Sequence, residues 1–255
     1  MSRVLITGAS RGIGRATAVE LTARGHEVIA TARDASTLAD VPAAARLQLD
    51  VTDESSVSAA VAAAGPIDAL VSNAGATVRA PMETVPVAEV QRLFDLNTFG
   101  ALRVAQAVLP GMRERGKGKL IFLSSIQGRV AIPLIGPYAA SKWALEAIAE
   151  TLAIEAAHFG ISVQLLQPAA VSSGGAERAK VFLDEDNPYR PLLDQMRGFR
   201  SAPVSPEEVA VAVAAALEDP RSPLRTPVGG PATSVLAARK AAPEDVPFLA
   251  APLDW

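Results

Sequence analysis

Cysteine is absent from this chain, so neither a disulfide nor a thiol nucleophile can contribute to its stability or chemistry. Histidine is nearly absent. His26 and His158 lie far apart at the ends of expected elements, and no metal site is expected from them. No apolar stretch reaches the roughly 18 residues of a membrane span. The run from Val209 to Leu217 is short and is closed by Glu218-Asp219-Pro220. No basic block is present and the net charge of −3 is spread along the chain, which leaves no electrostatic motive for nucleic acid as a partner. The first strand is expected to begin almost at Met1, an expectation that leaves no room for a signal peptide and points to a cytoplasmic protein. What is there suits one folded unit: 255 residues, 49% of them hydrophobic, can bury a substantial core in a single domain spanning 1–255.

The chemistry starts from Tyr138 and Lys142 in Pro137-Tyr-Ala-Ala-Ser-Lys-Trp-Ala-Leu145. The surrounding alanines, Leu145 and Ile148 favour a helix, and a spacing of four places both side chains on one face. A phenol titrates near pH 10, and a fixed cation nearby favours its ionised form. The pair is therefore expected to make a general acid of lowered pKa. A surface Tyr beside a solvated Lys is the plain alternative for such a pair taken alone.

The N-terminal run Ser2-Arg-Val-Leu-Ile-Thr-Gly-Ala-Ser-Arg-Gly-Ile-Gly-Arg15 is an apolar strand that enters a glycine turn and then a helix. Gly8 suits a tight turn, Gly12 a close approach to a pyrophosphate, and Gly14 the packing of helix on strand. The helix N-terminus then offers free N–H groups to an anion. About 20 residues further on, NAD-binding folds carry an acid, whereas a basic residue suits a 2′-phosphate. Here Ala32 is followed by Arg33, which can grip a phosphate bidentately, with Arg11 as a second cation. NADP(H) is favoured over NAD(H), against the alternative that Asp34 and Glu20 simply neutralise the two arginines.

Hydrophobic patterning predicts strands over 3–7, 27–31, 46–50, 67–71, 119–124 and 161–167. Helices are expected over 12–24, 35–40, 53–64, near 86–113 and over 137–158, with Gly25 and Gly160 as stop signals. The alternation predicts an α/β protein of Rossmann type, a doubly wound parallel sheet with helices on both faces. The glycine loop, Ser125 and Pro168 then lie together at the carboxyl ends of strands, where such sheets bind ligands.

With these motifs in order, the chain resembles the classical short-chain dehydrogenase/reductase family over nearly its whole length. Thr7-Gly-Ala-Ser-Arg-Gly-Ile-Gly14 matches that family's glycine turn, Asp50-Val51 its adenine-contacting position, and Ser72-Asn73-Ala74-Gly75 its Asn-Asn-Ala-Gly motif with one change. Asn97, Ser125, Tyr138 and Lys142 match its catalytic tetrad, and Ser125 precedes Tyr138 by thirteen residues as in the family pattern. The resemblance implies that Ser10 and Ile13 join the glycines at the cofactor. It implies that Tyr138 exchanges a proton with the substrate oxygen and that Ser125 hydrogen-bonds the same oxygen. Lys142 would lower the Tyr138 pKa and bond the nicotinamide ribose, and Asn97 would hold a relay water. An Asn that braces a helix kink is the alternative for Asn97. Ser124 is expected to face the other way, in a structural role. In Gln167-Pro-Ala-Ala-Val-Ser-Ser173, Pro168, Val171 and Ser173 would meet the nicotinamide carboxamide, although Ala169 stands where the family has Gly.

Substrate choice is expected to rest on 174–202, an irregular segment with Pro188 and Pro191 that reads as a lid. It mixes Val181, Phe182, Leu183, Tyr189, Leu192, Leu193, Met196 and Phe199 with charges. Ile126, Val130, Ile132, Leu134 and Ile135 suggest an apolar pocket, in which Gln127 could select a second substrate oxygen. The ending, with its Val228-Gly229 turn and trailing helical stretch, loosely resembles the retinol and 17β-hydroxysteroid dehydrogenase branch. A carbonyl reductase or alcohol dehydrogenase acting on an apolar small molecule is expected, as a homo-oligomer, dimer or tetramer. NAD-linked oxidation of a sugar or secondary metabolite, and a silent dinucleotide sensor, are the alternatives.

Overall fold

Alternation along the first strand sets the layering. In β1 (Arg3–Ile6), Val4 and Ile6 belong to one apolar cluster and Leu5 to another, and all three are fully buried. A strand covered on both faces is the mark of a parallel sheet sandwiched between helices. The computed structural model describes residues 1–175, 177–198 and 202–248. It joins β1 to β2 (Glu27–Ala32), β3 (Ala45–Gln48), β4 (Ala69–Ser72), β6 (Gly118–Leu123), β7 (Ile161–Pro168) and β9 (Arg225–Val228). All pairs are parallel, in the order β3-β2-β1-β4-β6-β7-β9. The order reverses between β1 and β4, which opens a crevice at their carboxyl ends.

Against Val4 and Ile6 pack α1 (Gly12–Ala23), α7 (Pro206–Glu218) and α8 (Gly230–Ala241) through Leu21, Val213 and Ala232. Against Leu5 pack α2 (Glu54–Ala64), α4 (Gly100–Glu114) and α5 (Gly136–Ala157) through Val57, Val104 and Leu145. The chain enters α4 from α3 (Val87–Phe94) without a break, through one π-helical turn at Asp95–Phe99. The expected α/β architecture stands, with most boundaries within a residue or two. The helix expected over 35–40 is a single 3₁₀ turn, Ala35–Leu38, capped by Asp34.

Sequence reading noted the apolar run in α7 but not the helix. Its start is a capping box: Ser205 Oγ accepts from the Glu208 N–H at 3.1 Å and Glu208 Oε2 from the Ser205 N–H at 2.9 Å. Its end is held by Lys119, whose Nζ donates to the carbonyls of Ala216 (2.6 Å), Leu217 (3.0 Å) and Asp219 (2.9 Å), a cation at the negative end of a helix.

The expected lid is not irregular throughout. It contains β8 (Lys180–Val181), which pairs in parallel with β5 (Val78–Arg79), and α6 (Arg190–Gly198). Phe199 and the side chain of Met196 lie outside the described residues, as does the end of the chain from 249 to 255. Among the described residues no helix is long and apolar enough to cross a membrane.

Candidate active site

Past β1 the chain turns at Gly8, whose φ of 68° lies in the left-handed region. Thr7 and Asn73 tie this turn to the end of β4. Thr7 Oγ1 accepts from the N–H groups of Asn73 and Ala74, each at 3.0 Å, while Asn73 Nδ2 donates to the carbonyls of Thr7 (2.9 Å) and Gly8 (3.1 Å). A Cβ on Gly14 would sit 2.6 Å from Asn73 Nδ2, so only glycine lets α1 approach this closely. Gly12 is abutted instead by Ser173, whose Cβ would lie 3.0 Å from a Cβ placed there. The glycine turn and the turn after β7 are thus brought together. Ile13 packs into the core, and Ser10 is half-buried. At the N-terminus of α1, Arg11 supplies no side-chain cap and the first turn carries no acid. Those N–H groups remain for an anion.

Arg33 is exposed at the end of β2 and, like Arg11, forms no ion pair among the described residues. The two carboxylates that sequence reading offered as neutralisers are engaged elsewhere. Asp34 Oδ1 accepts from Ser36 Oγ (2.7 Å) and the Ser36 N–H (2.9 Å), bonds that hold its carboxyl below the usual range. Glu20 pairs with Arg24 at 2.7 Å. Asp50 Oδ1 accepts from the hydroxyl and N–H of Thr52, and Val51 is buried against Gly100.

Ser125, just beyond β6, begins a 3₁₀ turn, and its Oγ accepts from the Gln127 N–H at 3.2 Å. Pro168 O lies 3.5 Å from the same oxygen. Tyr138 is half-buried in the first turn of α5, with the Ser125 hydroxyl close enough to draw its pKa down. Lys142 is one turn on, 5% exposed, with Nζ 2.7 Å from Leu123 O and 5.8 Å from the centre of the Tyr138 ring. Burial pushes the Tyr138 phenol up to about 12, and the Ser125 hydrogen bond draws it down by less. Burial pulls Lys142 down to about 8, with the Glu146 carboxylate opposing. The phenol's net shift is upward, opposite to the expected lowering: the cost of burying a phenolate exceeds the contacts that stabilise it, and the Lys142 ammonium hydrogen-bonds the Leu123 carbonyl. At neutral pH the phenol is protonated and the ammonium charged.

Asn97 sits in the π-helical turn, and its side chain clasps Ala76. Oδ1 accepts from the Ala76 N–H and Nδ2 donates to Ala76 O, both at 2.9 Å, while the second amide proton goes to Ser141 Oγ at 3.0 Å. Both amide protons are used in bracing. Gly75 fits against this clasp, since a Cβ there would lie 3.1 Å from Asn97 Oδ1. Sequence reading gave no role to Ser141, which is fully buried, donates to Tyr138 O at 2.7 Å, and accepts the Asn97 bond. Its signal was its place inside the Tyr-to-Lys interval.

Gln127 Oε1 is buried without a hydrogen-bond partner beside the Ser125 turn. Of the expected pocket residues, Val130 and Leu134 are buried and Ile132 and Ile135 half-buried. Beyond Pro168, Val171 bridges to Val204, with Ser172 N–H to Val204 O at 3.0 Å and Val204 N–H to Ala170 O at 2.8 Å. The segment between meets the body through Phe182 N–H to Arg79 O (2.8 Å), Tyr189 OH to Glu83 Oε2 (2.6 Å), and a cluster of Leu134, Leu183 and Leu193. Leu134 holds a φ of 65°, unusual for a branched side chain, and its carbonyl accepts from the Ala80 N–H at 2.7 Å.

Residues 2–181 match the family described as short chain dehydrogenase. The chain belongs to that family. This short chain dehydrogenase is 35% identical over 247 residues to human (Homo sapiens) retinol dehydrogenase 8, covering 87% of this chain and 79% of that one. It is 36% identical over 248 residues to human 17-beta-hydroxysteroid dehydrogenase type 1, covering 87% and 76%. A short chain dehydrogenase of Burkholderia cenocepacia, solved in complex with NADP, superimposes with a TM-score of 0.79 at 26% identity, over 94% of this chain and 93% of that one. The chain is therefore an oxidoreductase of the retinol and hydroxysteroid dehydrogenase-like branch.

Proposed function

We propose that this short chain dehydrogenase is an NADP(H)-dependent carbonyl reductase or alcohol dehydrogenase acting on an apolar substrate. The observation that carries this reading is the gathering of Ser125, Tyr138 and Lys142 at the strand ends that also carry the glycine turn. The residues present fit a dinucleotide. The α1 N-terminus has no side-chain cap, Gly14 admits no Cβ, and Arg33 has no carboxylate partner among the described residues. Gly8, Ser10, Arg11, Gly12 and Ile13 would hold the pyrophosphate, Arg33 the 2′-phosphate, Asp50 and Val51 the adenine, and Asn73, Ala74 and Gly75 the adjoining ribose region. Pro168, Val171 and Ser173 would face the carboxamide. When bound, the nicotinamide supplies or accepts a hydride.

Tyr138 is the proton donor in the reductive direction. A phenol at about 12 is fully protonated at neutral pH, yet is a far stronger acid than the alcohol that forms. Ser125 donates to the same substrate oxygen and fixes its position as charge develops. Lys142 stabilises the phenolate left behind, and Asn97 braces the helix junction beside Ser141. The neutral Gln127 carbonyl oxygen, which has no hydrogen-bond partner, would accept from a hydroxyl on the substrate. The segment 174–202 serves as the lid, and its leucine cluster favours an apolar occupant. The two human relatives are by name retinol and hydroxysteroid dehydrogenases, which agrees with a bulky apolar alcohol or ketone.

The test is a binding titration of the purified protein with NADPH and NADH, followed by nicotinamide absorbance over a panel of apolar ketones and aldehydes. NADPH consumption with weaker NADH binding is the expected result. Preference for NADH would refute the role of Arg33, and binding without turnover would favour the sensor.

A further inference from the structure

Between α5 and the β7–β9 edge of the sheet lies an ionic cluster, buried at Glu146 and open to solvent at Glu150, that the proposed reaction does not use. Glu146, one helical turn beyond Lys142, is 3% exposed. Its Oε1 accepts from Gln167 Nε2 at 2.9 Å and its Oε2 from Arg225 Nε at 2.7 Å. Arg225 also donates to Glu150 Oε2 at 2.6 Å. Two carboxylates thus share one guanidinium, and the trio carries a net negative charge that begins one helical turn from Lys142. A buried ion is costly unless paired, so the Glu146 carboxylate depends on Arg225 and Gln167, whereas Arg225 and Glu150 keep contact with water.

Glu146 also touches both turns of the site. A Cβ on Gly128 would lie 2.8 Å from Glu146 Cγ and 2.8 Å from Ser124 Oγ, so the 3₁₀ turn that begins at Ser125 rests on this carboxylate's stem. Ser124 Oγ is itself buried without a hydrogen-bond partner. Gln167 directly precedes Pro168, whose carbonyl faces Ser125.

We propose that Glu146, fixed by Arg225 and Gln167, is a positioning residue whose carboxylate is the counter-charge of Lys142 and the seat of the turn that carries Ser125. The inference rests on the reading of Lys142 as part of the working site. Lys142 faces Tyr138 and Glu146 on its own helix and the neutral Leu123 carbonyl on β6. Glu146 in turn faces Arg225 on β9 and neutral Gln167 on β7, with Glu150 beyond it under the influence of Arg129. Burial lowers Lys142 and Glu146 opposes that fall, so loss of the carboxylate moves the lysine further down.

The experiment is a ¹³C-NMR pH titration of the Lys142 side chain in the full-length, cofactor-free protein, practicable because lysines are few. Glu146→Gln is expected to lower its midpoint from about 8 by about one pH unit or more, while Glu146→Asp, which keeps the charge, stays within a few tenths. The basic limb of kcat/KM for ketone reduction is expected to move to lower pH in step. A Glu146→Gln midpoint equal to wild type overturns the proposal, as does an equal fall in both variants, which would assign the effect to packing. Should Glu146→Gln not fold, Glu150→Gln leaves Arg225 to neutralise Glu146 alone. A smaller fall is then expected, and no change overturns the counter-charge. The titration needs neither cofactor nor turnover, so a wild-type protein that reduces no ketone refutes the reductase reading while the Lys142 midpoints still decide the role of Glu146.

Discussion

Around the glycine turn the chain is held by bonds from two side chains to the backbone and by close fit: Thr7 and Asn73 tie two strand ends together, and Gly14 leaves no room for a Cβ. Around the segment from β8 to α6 the hold is different, with one short strand pair, three leucines and the Tyr189–Glu83 bond. The first side admits almost no change of residue; the second is built from side chains that many residues could replace. A dinucleotide is the same molecule in every turnover, whereas the partner it reacts with differs from enzyme to enzyme. Close fit on one side and exchangeable contacts on the other suit that division.

The comparison can be broken by substitutions that should act on one side alone. Tyr138→Phe, at the junction, is expected to lower kcat by about 10³-fold or more while cofactor affinity, read by fluorescence titration, stays within about 2-fold. Arg33→Ala should weaken NADPH by about 10- to 100-fold and NADH hardly at all; equal losses would remove the 2′-phosphate role. On the other side, Tyr189→Phe severs the bond to Glu83 and is expected to raise substrate KM by about 2- to 5-fold with both cofactor affinities unchanged. A change in NADPH affinity in that variant would show the two sides to be coupled. The subtlest effect is in alkali. Tyr138 at about 12 stands above the roughly 10 of an unfolded phenol. The stability this group contributes is therefore fully present below about pH 10 and lost as pH rises through about 12. Phenol absorbance of the Tyr189→Phe variant, followed against pH alongside unfolding, checks it.

What could be read from sequence follows the same divide. Gly8, Gly12, Gly14 and Asn73 were legible because a local backbone shape demands them, and Ser125, Tyr138 and Lys142 because their spacing is fixed by one turn and one helix. The direction of the phenol's shift was not legible, since spacing shows that Lys142 is near but not how much water Tyr138 has lost. Ser141 and the Asn97 clasp on Ala76 join residues distant in sequence. So do Glu146 with Arg225 and the pairing of β5 with β8, which no local pattern announces. The capping box at Ser205 and Glu208 was present in the sequence as a local signal and went unread.

The Val171–Val204 bridge bears on how such a molecule can diversify. The chain leaves the sheet just before this bridge and is returned to the same point by it, so the two ends of the excursion lie side by side. A closed excursion of this kind can change in length or composition without dragging the sheet along. Recombination could therefore graft a different cover onto the same chassis, carrying a new substrate repertoire and leaving redox machinery intact.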